Sequence, residues 1–245
     1  MSNLDLDSLR QKYQEITSKG SGGSEDFLKK FINIPTPGET VVRILPTLDP
    51  ELPFYKEYSA IHWEGKNYSC LKDLGQKCPI TEVYFALWKT GIEENIALAR
   101  KIRARKKYWM NVVERDTGEV KILSCGIKLF EKILATILDE DFGDITDLNE
   151  GWDFKIKKVK QGDWPDYSHS APKPKQIPAG TDQEIDRWMN SLHDIHGIIK
   201  YPEYEVAEKV AAEILSHASG ASSMSTPSSQ SVDGGSEDLL KLLND

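Results

Sequence analysis

Residues 108–125, YWMNVVERDTGEVKILSC, restrict the fold more than any other part of the chain. Two runs of alternating apolar side chains are joined by RDTGE, and a Gly-containing turn between such runs reads as a β-hairpin. A lone hairpin is marginal in water, so further strands must complete the sheet. The chain supplies them. Residues 40–45, TVVRIL, form a strand bounded by Pro37–Gly38 and Pro46, and residues 54–63 alternate loosely. Residues 152–160, WDFKIKKVK, alternate Phe154 and Ile156 with lysines and predict a strand with one cationic face.

Helical spacing replaces alternation in residues 4–16, 79–105, 128–138 and 181–215. His193 and His196 fall on the last of these and are expected on its surface. Residues 160–180, with Pro165, Pro172, Pro174 and Pro178, read as one long loop. Short strands around a central hairpin, with a helix before the last strand, suit an α+β chain built on a small OB-fold-like β-barrel core. The expected organisation has three parts. Residues 1–24 are an amphipathic segment (Leu4, Leu6, Leu9, Tyr13, Ile16) with the flexible linker KGSGGS, suited to docking on its own domain or to self-association on a neighbouring molecule. Residues 25–215 are the core, with an inserted zinc-ribbon-like and helical subdomain at about 60–105 and a helical C-terminal part. Residues 216–245 are a disordered Ser/Gly/Ala/Pro linker ending in the acidic, leucine-rich tip SEDLLKLLND.

The net charge is −8 over 245 residues, which by itself argues against a nucleic-acid partner. Its distribution argues the other way. Six cations, Arg100, Lys101, Arg103, Arg105, Lys106 and Lys107, precede Tyr108–Trp109, while the end of the chain sets Asp233, Glu237, Asp238 and Asp245 against Lys241. A basic centre with an acidic end is a nucleic-acid pattern. Cysteines 70, 78 and 125 have no disulfide-framework spacing, no segment has membrane-spanning length, and the N-terminus lacks a secretory pattern, so a reducing, soluble compartment is expected. A Gly-rich phosphate loop, a nucleophile elbow and an HExxH pair are all missing from the sequence, and carboxylates are scattered, so no enzymatic site is expected.

Cations that meet phosphates beside rings that stack on bases are the ingredients of sequence-tolerant single-strand binding. Candidates are Arg43, Arg103, Arg105, Lys106, Lys107, Lys155, Lys157 and Lys158 for phosphates, and Tyr108, Trp109, Trp164 and Tyr167 for bases. Adjacent strand residues point to opposite sides, so one of Tyr108 and Trp109 is expected to face the core. A second reading stays open: an RNA-binding or scaffolding module whose aromatics pack internally. His62, Cys70 and Cys78 look like three ligands of a zinc site whose fourth position holds Thr81, a poor donor. Cys125 completing the set, water completing it, and loss of the metal are the readings the spacing leaves.

Several of these segments, in this order, resemble the T-even-type bacteriophage single-stranded DNA-binding proteins, also called helix-destabilising proteins. The resemblance runs from about Gly38 to Tyr167 through TVVRILP, the segment from His62 to Cys78, KYWMNVVERDTGEVK, GIKLFEKI, GWDFKIKKVKQ and the rings Trp164 and Tyr167, with SEDLLKLLND matching again at the tip. It implies an OB-fold core with a zinc-bearing subdomain and a basic, aromatic-lined site for single-stranded DNA. It further implies cooperative self-association through the N-terminal segment and recruitment of replication, recombination and repair proteins by the tail (Asp238, Leu239, Leu240, Leu242, Leu243, Asp245), in the cytoplasm of an infected bacterial host. Thr81 departs from the family pattern, and so does the acidic character of residues 4–16.

Overall fold

The computed structural model describes residues 22–162 and 164–222. The expectations for residues 4–16 and for the tip therefore lie outside the described residues. The elements in chain order are α1 (Gly22–Lys29), β1 (Gly38–Ile44), β2 (Tyr55–Trp63), β3 (Lys66–Ser69), a 3-10 turn (Leu71–Leu74), α2 (Pro79–Lys89), α3 (Glu93–Ile102), β4 (Arg105–Glu114), β5 (Glu119–Gly126), α4 (Ile127–Ile137), β6 (Trp152–Gln161), β7 (Trp164–Asp166), β8 (Ala171–Gln176), α5 (Asp182–Met189) and α6 (Tyr204–Ser222). They divide into two compact units. Among the described residues the first comprises 22–56, 108–162 and 164–195, the second 57–107 and 196–222.

The first unit is an antiparallel sheet with α4 packed against its core face. The RDTGE turn joins β4 to β5, with Gly118 at φ 68°, a conformation that glycine adopts without a Cβ clash. β4 pairs with β1 (Val42 opposite Glu114) and β1 with β6 (Thr40 opposite Ile156). Val42, Ile44, Met110, Val112, Phe154 and Ile156 form its core with Leu129, Phe130 and Ile133 of α4. An α+β chain built on antiparallel strands is what the sequence predicts.

The second unit packs the β2–β3 hairpin against helices. Ile80, Val83 and Leu87 of α2 meet Ala99 and Ile102 of α3, and Ala207, Val210, Ala211, Ile214 and Ala218 of α6. That last series has helical spacing and carries α6 through residues 216–222, where a linker was expected. Other boundaries also move. The helix expected over 79–105 breaks at Gly91, whose φ is 69°. The helix expected over 181–215 becomes α5 and α6, with no helix over residues 190–203. Gly22, Gly23 and Ser24 open α1 rather than a linker, and Phe27 of α1 packs near Trp109. The loop expected over 160–180 holds β7 and β8, both paired to β6. Pro172 and Pro174 are tolerated there because a strand paired on one side needs only half its backbone donors.

Candidate nucleic-acid interface

The cation run separates by strand geometry. Side chains alternate along an extended chain, so Arg103, Arg105 and Lys107 share one face and Lys106 takes the other. The first three line a cavity of about 740 Å³ in the second unit, joined by Lys101 from the last turn of α3. His62, Trp63, Asn67 and His217 complete the wall, with Glu64 and Glu94 as its acidic members. Four cations around one concavity give a local positive field in a chain of net charge −8. Lys106 is outside that lining and ion-pairs with Glu57, and this hydrogen bond raises its pKa. Trp63 is buried with its indole N–H unpartnered, and the His217 ring packs edge-on at 5.2 Å from it.

Arg43, expected to meet phosphate, is enclosed instead of presented to solvent. Its side chain is fully buried in the first unit, where Nε donates to Asp153 Oδ1 at 3.1 Å, Nη1 to the Asp147 carbonyl at 3.2 Å and Nη2 to the Ile177 carbonyl at 2.7 Å. Arg115 donates to the same Asp153 oxygen from Nε at 2.9 Å and to the Ala179 carbonyl from Nη1 at 2.6 Å. Burial lowers the pKa of Arg43, and its hydrogen bond to Asp153 opposes that shift. Gly151 is required beside it: a Cβ there would stand 2.7 Å from Arg43 Nη1 and 2.2 Å from the Asp147 carbonyl oxygen.

Both members of the Tyr108–Trp109 pair are buried, not one. Tyr108 stacks on Phe130 at 3.8 Å and 10°. Trp109, on the other face of β4, donates its indole N–H to Ser124 Oγ at 3.0 Å and has Phe31 edge-on at 5.1 Å. β4 is covered on both faces because α4 closes one and the segment around α1 closes the other. Neither ring is placed for stacking on a base.

The β6 lysines likewise divide. Lys155 and Lys157 lie on the face opposite Phe154 and Ile156, whereas Lys158 follows the core parity and donates from Nζ to the Ile34 carbonyl at 3.3 Å. Trp164 sits beyond the strand end, opposite Gln161, and is 61 % exposed. Tyr167 instead packs against the first unit's core, and burial raises its pKa. Of the expected aromatic stackers, Trp164 alone has a largely exposed ring.

The proposed zinc ligands do not assemble. Cys70 and Cys78 are buried, and Cys70 Sγ meets Thr81 Oγ1 at 3.3 Å. The Cys78 pKa is lowered, first by the hydrogen bond from the Cys70 thiol, then by the Thr81 hydroxyl and backbone N–H at the start of α2. His62 is exposed and engaged through Nδ1 with Asn67 Oδ1 at 3.1 Å, and Cys125 is in the first unit's core. Among the described residues no group of three His, Cys, Asp or Glu stands ready for a metal ion. Two thiols and a hydroxyl are not the four N or S donors of a structural zinc site, so the residues do not fit the ion. His193 also differs from expectation: it lies outside any helix, its backbone N–H donates to Asn111 Oδ1 at 3.0 Å, and burial lowers its pKa.

Lys101, Trp63, Asn67 and His217 line the cavity and are not among the candidates chosen from the sequence. Lys101 had a signal, since it belongs to the six-cation run of residues 100–107. His217 had none, because its place beside Trp63 depends on α6 packing. Among the described residues no helix is long and apolar enough to cross a membrane. The family model described as gp32 DNA binding protein like matches residues 36–216. Comparison with curated proteins finds no match.

Proposed function

The chain belongs to the gp32-like family of non-enzymatic DNA-binding proteins, and from that premise we propose that it coats and protects single-stranded DNA during phage replication, recombination and repair. The observation that carries this reading is the cavity in which Lys101, Arg103, Arg105 and Lys107 converge. Those four cations hold phosphates, Lys155 and Lys157 add a second cationic strip, and Trp164 stacks on bases. Each stacked base contributes about 1–3 kcal/mol without reading sequence. Binding single strands in preference to duplex lowers duplex stability by mass action, without nucleotide hydrolysis. Residues 1–24 supply self-association along the strand. The tip, through Asp238, Leu239, Leu240, Leu242, Leu243 and Asp245, recruits replication and recombination proteins, all in the cytoplasm of the bacterial host.

The test is anisotropy of labelled oligo-dT, oligo-rU and duplex DNA, each titrated with the full chain over a salt series. Tight oligo-dT binding with a steep salt slope and weak duplex binding is expected. Undetectable binding of oligo-dT at low salt overturns the reading. Equal affinity for oligo-rU supports the RNA-binding alternative, which the internal packing of Tyr108 and Trp109 favours.

A further inference from the structure

Helix α2 carries two large rings on its outer side. Its core face is Ile80, Val83 and Leu87, which leaves Phe85 and Trp88 exposed at 49 % and 46 %. An exposed aromatic pair is uncommon on a surface with no partner and marks a contact site. Each ring has its own cation: Lys72 Nζ stands 5.0 Å from the Phe85 centroid and the Arg100 guanidinium carbon 5.9 Å from that of Trp88. Arg100 adjoins Lys101, so the last turn of α3 runs from the Trp88 ring to the cation-lined cavity within the same unit.

We propose that the single-strand track continues from the cavity over α3 onto α2, with Trp88 and Phe85 stacking bases and Arg100 and Lys72 holding the adjoining phosphates. This extension rests on the single-stranded DNA reading above. Rings paired one-to-one with cations match what a single strand offers, an alternation of π-faces and negative charge. A protein-docking patch shares the aromatics and the arginine but has lysine depleted from its centre, so Lys72 beside Phe85 is the feature that favours a phosphate-bearing strand. The neighbouring exposed Leu74 and Ile92 are the features that a protein partner would use instead. When a base stacks on Trp88 it takes the ring face that Arg100 covers in the free protein, and the guanidinium turns to the next phosphate.

The experiment is oligo-dT anisotropy at fixed salt with the wild-type chain and five variants, Trp88→Ala, Trp88→Phe, Trp88→Leu, Phe85→Ala and Arg103→Ala, with melting curves run alongside. Trp88→Ala is expected to weaken binding roughly five- to 150-fold, the loss of one stacked base. Trp88→Phe should recover most of that affinity. Trp88→Leu should not, although it keeps apolar area, and this separates stacking from mere surface cover. Phe85→Ala gives an independent loss should a Trp88 variant melt early. If Trp88→Ala and Phe85→Ala bind oligo-dT like the wild type while Arg103→Ala binds more weakly, the patch serves a protein partner and this proposal is overturned, with the single-strand reading intact. Failure of the wild type to bind oligo-dT overturns the underlying reading instead.

Discussion

Arg43 and Arg103 are the same residue type, one inside a strand and the other just before one, yet they are placed oppositely in the two units. Arg43 is enclosed in the first unit and its donors are used by Asp153 and two carbonyls. Arg103 lines an open cavity in the second with three other cations. The aromatic pairs repeat the contrast: Tyr108 and Trp109 are buried in the first unit, while Phe85 and Trp88 stand exposed in the second. Charge and ring content are therefore poor guides to a binding surface until the partners of each side chain are known. Arg43, Tyr108 and Trp109 hold the first unit together, whereas Arg103, Phe85 and Trp88 are presented by the second.

The contrast breaks most directly at Arg43. Arg43→Ala leaves Asp153 with Arg115 alone and removes the donors to two part-buried carbonyls, so chemical denaturation should record a loss of about 3–5 kcal/mol. If stability held and DNA affinity fell instead, Arg43 would belong with the cavity cations. Tyr108→Ala removes a ring stacked on Phe130 and should cost about 3–4 kcal/mol, again read in denaturant midpoint.

Substitutions in the second unit should do the reverse. Arg103→Ala and Lys107→Ala are expected to change stability by no more than about 0.5 kcal/mol. Each should lower the slope of log affinity against log salt by about 0.7 for every phosphate the side chain neutralises. Lys106→Ala sharpens the point, because its side chain serves Glu57 and the slope should stay near that of the wild type.

The smallest effect concerns pH. Burial holds the His193 pKa below its ordinary value of 6.5. Above that value the ring is neutral in both folded and unfolded chains. As pH falls through it, the unfolded chain takes up the proton first, so stability declines on the acid side. His193→Gln should flatten that limb of the stability–pH profile; a profile unchanged by the substitution would place the acid sensitivity elsewhere.

Much of the scaffold was legible in the order of residues. RDTGE between alternating runs determined a hairpin, the spacing of Leu129, Ile133 and Ile137 determined α4, and TVVRIL determined β1. These are local signals, in which period and turn chemistry act over a few residues. The strand β8 escaped notice because four prolines mark a loop unless a neighbouring strand pairs one side. Gly91 ended a helix that apolar spacing alone would have continued.

Function divides along the same line. By itself the sequence determined that positive charge is concentrated at residues 100–107 in an acidic chain, and strand parity determined that Arg103, Arg105 and Lys107 share a face. Only the tertiary structure decided which cations and rings meet solvent. Asp153 and the carbonyls of Asp147 and Ile177 come from far along the chain to enclose Arg43, and α1 and α4 arrive on either side of β4 to cover Tyr108 and Trp109. Burial is set by such long-range partners, and no short window of residues contains them.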